Sequence, residues 1–381
     1  MTCLGFLSPA LCAIAGAAAA APAPTLPARA DVIAVLRSVN GNFMRRHPDP
    51  ATPSPGKNHP ANGWTRGVYY EGLMALYGVD PDARYYDYAL RGAERQAWGL
   101  NAGAATRSAD NQCMGQTYLD LYAHDPRPER IREIRACIAA MVAGSKDDDW
   151  WWVDALQMAM PVFARLGALD YDSRYFEKMY ALYMNTKTRE GGAGLYNPVE
   201  HLWWRDRSFL PPYKEPNGSN CYWARGNGWA LAALVRVLEA LPEHDPHRDE
   251  YVRTFREMAA AIAPLQRPDG FWNVSLKDPG DFGGKEATGT SLFVYGLAAG
   301  IRLGLLTSDE YLPAVARGWN AMASEAVHPD GALGYVQGVG KQPSDSQPVT
   351  YDNIPEVEDF GIGCFLLAGS EVSKLTDGRR R

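Results

Sequence analysis

The chain has 381 residues, 38 Lys plus Arg against 44 Asp plus Glu, and a net charge of −6 with neutral histidines. An apolar fraction of 46% excludes a disordered chain, and the acidic balance argues against a general nucleic-acid binder, which would carry a basic face. The 11 Trp, 20 Tyr and 11 Phe are many for a soluble chain; most serve as core packing, and a few remain to face sugar rings or apolar ligands.

Residues 1–21 carry no charge and are rich in Ala, Leu and Gly. The apolar run is too short for a membrane span. Ala17 to Ala21 followed by Pro22-Ala23-Pro24 read as a signal-peptidase site with a linker behind it, although the n-region has no Lys or Arg. Export, periplasmic or secreted, is therefore expected, with residues 22–381 as a single domain. No later stretch resembles a membrane span. Cleavage would leave Cys113, Cys137, Cys221 and Cys364, none in a C-x-x-C pair, so no zinc or thioredoxin-type site is expected. A Cys113–Cys137 bridge stays open for an exported protein; buried thiols are the simpler reading.

From Asp31 onward the apolar spacing is helical. Val32, Val35, Leu36, Val39 and Phe43 mark a first helix. Trp64–Tyr77 follows, closed by Gly78, and then Asp82–Trp98, Asp110–Tyr122 and Pro128–Val142. A sixth helix is read over Trp151–Leu166, stopping at Gly167, and a seventh over Ser173–Lys187 with Asp172 as N-cap. Beyond a long loop come Gly228–Leu241, ending at Pro242, and Asp249–Leu265. Thr288–Leu305, Ser308–Ala326 and Phe360–Leu375 complete a set of twelve. The even-numbered helices are richer in Gly, Ala and aromatics; the odd-numbered ones carry charged faces. That alternation fits a closed ring of buried inner helices wrapped by outer ones. Two long loops, roughly Glu190–Tyr222 and Phe271–Lys285, each precede an inner helix, where long loops are usually functional.

Three constellations carry possible chemistry. The first is Asp147-Asp148-Asp149-Trp150-Trp151-Trp152-Val153-Asp154. Acids before an apolar helix match its dipole, which suits Asp147 and Asp148; a metal-binding cluster is the weaker alternative, since no second acidic cluster faces it. Asp154 is placed inside the helix, on one face with Trp150, Trp151 and Met158. A carboxyl among indoles is poorly solvated, so its pKa rises, and a carboxyl protonated near neutrality is a general acid. The second is Cys221-Tyr222-Trp223-Ala224-Arg225-Gly226-Asn227-Gly228-Trp229. The two Gly allow close approach to a ligand or make a turn, and Arg225 suits either a substrate carboxylate or a structural acid. The third is Arg107 to Gln112, in which Asp110 is either an N-cap or a pocket acid. His201, beside Trp203 and Trp204, is either a solvated loop residue or a site residue. Glu286 and Thr290 open the tenth helix and are equally ambiguous. No P-loop, dinucleotide fingerprint, G-x-S-x-G or H-E-x-x-H occurs.

Three segments together resemble a known family: Trp151-Trp152-Val153-Asp154-Ala155-Leu156-Gln157-Met158, Trp223-Ala224-Arg225-Gly226-Asn227-Gly228-Trp229, and Glu286 to Tyr295. Asp359-Phe360-Gly361 to Glu371 adds a matching C-terminal helix. The likeness is to the unsaturated rhamnogalacturonyl hydrolases of glycoside hydrolase family 105, relatives of the unsaturated glucuronyl hydrolases of family 88, and it spans nearly all of the chain after residue 21. It implies an all-α (α/α)6 barrel, in agreement with the twelve helices. It places Asp154 on the catalytic Asp, Asp110 on a second pocket carboxylate, and Arg225 and His201 on substrate contacts. Trp223 and Trp229 fall on sugar-facing aromatics, and Trp151 belongs to a triple Trp at the pocket. Asn111 stands where a second Asp is common.

The implied substrate is a lyase-generated oligosaccharide with a C4=C5 double bond in its terminal uronic acid. Protonation at C4 makes an oxocarbenium-like centre at C5, water adds there, and the hemiketal opens with loss of the glycosidic bond. One carboxyl can give the proton and then activate the water, so the carboxylate-spacing rule of ordinary glycosidases does not apply. Asp154 would be that acid, Asp110 a nearby charge that raises its pKa or orients it, and Arg225 the partner of the uronate. No metal or cofactor is implied. The alternatives are an inverting glycosidase or uronate lyase on the same toroid, or a non-catalytic glycan binder. A carboxyl held among aromatics speaks against the binder.

Overall fold

A computed structural model describes residues 24–54 and 59–376. Residues 1–21, read above as a signal, lie outside the described residues, as do Cys3 and Cys12.

The chain forms α1 (Arg29–Arg46), α2 (Trp64–Val79), α3 (Ala83–Arg95), α4 (Ala109–Gln112), α5 (Met114–His124), α6 (Arg132–Ala143) and α7 (Asp154–Asp170). It continues with α8 (Ser173–Thr188), α9 (Ala224–Ala240), α10 (Arg248–Ile262), the short α11 (Pro279–Phe282), α12 (Ala287–Arg302), α13 (Ser308–Glu325) and α14 (Asp359–Thr376). One two-stranded antiparallel ribbon, β1 (Tyr196–Asn197) and β2 (Leu202–Trp203), pairs Tyr196 with Trp203.

Side-chain pattern decides which helices lie inside. In α3 only Tyr85, Tyr88, Ala89, Gly92 and Ala93 are buried, a single stripe, and the rest faces water. In α12 every residue from Ala287 to Gly300 is buried, so no face is left for solvent. The inner helices α2, α4–α5, α7, α9, α12 and α14 each pack on the next, and α14 packs back on α2, which closes the ring. Helices α1, α3, α8, α10 and α13 cover α14, α2, α7, α9 and α12 from outside. Small residues bring the inner helices close: a Cβ on Gly228 would lie 2.7 Å from Leu292 Cβ on α12. Gly72 and Gly363 likewise face each other across the α2–α14 seam.

Several helix starts differ from the sequence reading, three of them near the candidate site residues. Helix α7 begins at Asp154, not Trp151, because Val153 N donates to Arg205 O at 2.8 Å and Trp152 bridges Asp206. The backbone before Asp154 is therefore paired like a strand. Helix α9 begins at Ala224, so the Arg-Gly-Asn-Gly run lies in its first turns, and its glycines approach another helix instead of making a turn. The fourth predicted helix is broken at Cys113 into α4 and α5, with Ser108, not Asp110, at the N-cap. Predicted caps at Asp82 and Asp172 do accept from Arg84 N and Arg174 N. Cys113, Cys137, Cys221 and Cys364 are all buried and unpaired. Among the described residues no helix is long and apolar enough to cross a membrane.

Candidate active site

Asp110 on α4, Asp154 opening α7, Arg225 in the first turn of α9 and Glu286 capping α12 all stand at N-terminal ends of inner helices. The loops that precede these helices therefore build one end of the barrel. The long loop from Glu190 to Tyr222 is stitched onto it. Asn227 Oδ1 accepts from Trp203 N at 2.8 Å, and Asn227 Nδ2 donates to the carbonyls of Trp203 and Trp223, both at 3.0 Å.

Asp154 is 7% exposed. Arg205, from the stitched loop, donates Nε–H to Asp154 Oδ2 at 3.0 Å and Nη1–H to Asp206 Oδ2 at 2.8 Å. Asp154 Oδ1 is buried with no partner. Burial pushes the Asp154 pKa up, and the charges of Arg205 and Arg225 pull against that rise. Asp110 is pushed up to about 7, first by burial and then by the charge of Asp154, with Arg205 opposing. Asp110 is thus a carboxyl whose ionisation is held back toward neutrality by burial and by the charge of Asp154. Trp150 and Trp151 precede the helix, so the helical face proposed for them with Asp154 does not exist. Trp151 reaches the site another way: its ring is 49% exposed and lies 5.8 Å from the Arg205 guanidinium.

The other candidates are placed differently from one another. Arg225 is 1% exposed. Its Nη1 and Nη2 donate to the carbonyls of Gln337 and Gly338 at 2.7 and 2.8 Å, and its guanidinium lies between the rings of Trp223 and Phe360. Trp223 and Trp229 are 2% and 1% exposed, and Trp223 Nε1 donates to Gln337. Both rings are buried in the core and offer no open face. His201 lies in the left-handed backbone region and contacts Tyr196 at 3.2 Å and Glu257 of α10 at 3.6 Å, on the outer-helix side. It makes no polar contact with Asp154 or Asp110. Glu286 caps α12 by accepting from Thr288 N and Gly289 N, and Thr290 Oγ1 accepts from Trp272 N, so both of these are structural.

The acids before α7 are not a dipole match. Asp147 accepts from Lys178 at 2.8 Å, and Asp149 takes both prongs of Arg107 at 2.8 and 2.5 Å. Among the described residues no group of three or more His, Cys, Asp or Glu is placed to hold a metal ion. The opposite end of the barrel encloses a cavity of about 330 Å³ in which the charges meet protein partners: Arg165 with Asp120 at 2.8 Å, Lys374 with Glu371 at 2.6 Å, and Arg236 with Gln116 at 2.9 Å.

Arg205 is the residue that sequence reasoning missed. Its signal is the run Trp203-Trp204-Arg205-Asp206, a cation and an acid next to two indoles in the longest loop. His201, four positions earlier beside the same indoles, drew the assignment instead.

The profile of Glycosyl Hydrolase Family 88 matches residues 35–376. A relative from Formosa agariphila, named an unsaturated 3S-rhamnoglycuronyl hydrolase, is 32% identical over 337 residues, covering 82% of this chain and 85% of its own. Among solved structures, a glycosyl hydrolase family 88 protein from Bacteroides vulgatus is 33% identical with a TM-score of 0.83, covering 91% of this chain and 99% of its own. Another, named a polysaccharide lyase, is 31% identical with a TM-score of 0.83, covering 93% of this chain and 99% of its own. A family 105 structure from C. acetobutylicum shares the fold at 19% identity and a TM-score of 0.70, covering 89% of this chain and 99% of its own. The six-hairpin barrel expected from the sequence is the fold these neighbours share.

Proposed function

Because this chain belongs to glycosyl hydrolase family 88 and is a glycoside hydrolase, we propose that it removes the Δ4,5-unsaturated uronic acid from the non-reducing end of lyase-generated, rhamnose-containing oligosaccharides. The name of the Formosa agariphila relative supports the rhamnosyl linkage. The uncharged, Ala-rich segment over residues 1–21 supports export.

The observation that carries the reading is a buried carboxyl pinned on one oxygen by an arginine and left without a hydrogen-bond partner on the other. Arg205 fixes Asp154 Oδ2, while Oδ1 has no protein partner. Asp154 gives a proton to C4, and positive charge develops at C5. The Asp154 carboxylate then takes a proton from the water that adds to C5, so the acid is restored and no net proton is consumed. The hemiketal opens and the aglycone leaves. Asp110, pushed up to about 7 by burial and the charge of Asp154, is itself partly protonated at neutral pH. Trp151 offers the open ring face for the sugar beyond the scissile bond.

The sign of an absorbance change tests this against the lyase alternative. The purified protein is incubated with an unsaturated uronyl-rhamnose disaccharide, and the conjugated double-bond band is followed. Hydration removes the band and frees rhamnose. A lyase would leave that band untouched and create it in a saturated uronate polymer, and that result would overturn the proposal.

A further inference from the structure

Some arginine–carboxylate pairs in this protein use both prongs of the side-on fork, whereas the buried Arg66 meets Asp359 through Nε alone and spends Nη1 on the Pro50 carbonyl and Nη2 on the Thr52 carbonyl. Arg37 meets Asp80 through Nε at 2.8 Å and Nη2 at 2.6 Å. Arg107 meets Asp149 through Nε at 2.8 Å and Nη2 at 2.5 Å. Such two-pronged pairing is the strong form of the contact. Arg205 and Asp154 depart from it. Only Nε reaches Asp154, at Oδ2, and Nη1 turns to Asp206. Nη2 makes no hydrogen bond among the described residues, and Asp154 Oδ1 on the other side of the pair makes none either. Nη2 lies on the same edge of the guanidinium as Nε, so a charged donor flanks the carboxyl that carries the acid.

The arginine is held firmly in this half-used position. Its own carbonyl accepts from Val153 N at 2.8 Å, which fastens the loop to the residue before Asp154. Asp206, which takes Nη1, also accepts from Ser208 N at 2.8 Å. The exposed ring of Trp151 lies 5.8 Å from the guanidinium. The charges facing it are Asp154, Asp206 and, through space, Asp110. Arg225 is the second cation acting on Asp154, and its η nitrogens are spent on the carbonyls of Gln337 and Gly338.

Resting on the hydrolase reading above, we infer that Arg205, and not Arg225, receives the carboxylate of the unsaturated uronic acid through Nη2. In the substrate the carboxylate sits on C5 and the proton is accepted at the adjacent C4. In the protein the unused donor Nη2 stands on the edge of the guanidinium that already holds the Asp154 carboxyl through Nε. Arg205 therefore does two things: it orients the acid through Nε and reads the substrate's charge through Nη2.

The test compares two substrates in three proteins: an unsaturated uronyl disaccharide and its neutral methyl ester, with wild type, Arg205→Ala and Arg205→Lys. A hydrogen bond to a charged group is worth about 10- to 100-fold. Wild type should therefore prefer the acid over the ester in kcat/KM by about that factor. Arg205→Ala should lose most of the preference, falling within a few-fold of parity, with the loss on the acid carried chiefly by KM. Arg205→Lys should keep the fold and part of the preference, since it supplies charge without the fork; it also serves if the Ala variant does not fold. If both variants slow acid and ester equally and leave their ratio intact, Arg205 only positions Asp154 and the inference is overturned. If wild type turns over both substrates but shows no preference, it is likewise overturned while the hydrolase reading stands. Wild type that consumes neither substrate would sink both.

Discussion

Asp110→Asn makes the carboxyl pair measurable in the folding equilibrium. Burial and the neighbouring charge of Asp154 raise the Asp110 pKa from 3.8 to about 7. Folding therefore disfavours the ionised form. The sign follows from linkage: the penalty is absent below the unfolded value, grows as pH rises toward 7, and is then constant. At 1.36 kcal/mol per tenfold, the displacement corresponds to about 4 kcal/mol, or about 2–4 once the solvent-facing part of the side chain is discounted. The amide of the variant has no charge to desolvate. The variant should be more stable than wild type by about 2–4 kcal/mol at pH 8, and by clearly less at pH 4.5. Urea unfolding at both pH values reads the midpoint, with an unchanged slope as the control. Turnover should meanwhile fall, because the site loses a carboxyl that is partly protonated at neutral pH. A variant no more stable than wild type at pH 8, or one whose advantage is the same at both pH values, would refute the account of Asp110 as a carboxyl destabilised by burial and by the charge of Asp154.

Asp154→Asn should lower turnover by about 10³-fold or more, with thermal stability within a few degrees of wild type, since Asp206 still faces Arg205; near-normal activity would remove Asp154 from its role. Trp151→Ala should raise KM by about 3- to 10-fold and leave the unfolding midpoint unchanged, because the ring is 49% exposed and stacking on one face is worth about 0.5–1.5 kcal/mol. Gly228→Ala should destabilise by about 1–3 kcal/mol, as the new Cβ meets Leu292 Cβ at 2.7 Å between two inner helices. A neutral result in chemical denaturation would mean that α9 and α12 can part without cost.

Most of the barrel is readable from local pattern, and the site is readable only in part. Helices such as α3 and α8 announce themselves through a cap and a stripe, because both signals are contained within a few residues. The start of α7 is not readable this way. Trp151-Trp152-Val153 continues the apolar spacing, yet Val153 N is taken by Arg205 O, about fifty positions downstream, and a partner so distant in sequence leaves no local trace. The same holds for Asp147 and Asp149, whose partners Lys178 and Arg107 lie on other elements. Asp154 itself was legible because an acid among indoles is chemically odd wherever its helix begins. Trp223 and Trp229 were legible as members of a motif but not as buried residues. Burial depends on what α12, α14 and the 337–338 segment place against them.

The seam between α14 and α2 has a consequence for how the enzyme comes into being. Helix α14 is held between α12 and α2, and it follows every other described element in the order of synthesis. Until it emerges from the ribosome, α2 and α12 have no neighbour on their open sides, and Arg225 lacks the Phe360 ring that covers it. A nascent chain can form hairpins in succession, but the toroid cannot lock until its last stave arrives. A premature stop a few turns short of Thr376 would thus unmake a pocket whose acid lies roughly two hundred residues earlier in the chain as surely as a lesion beside the acid itself.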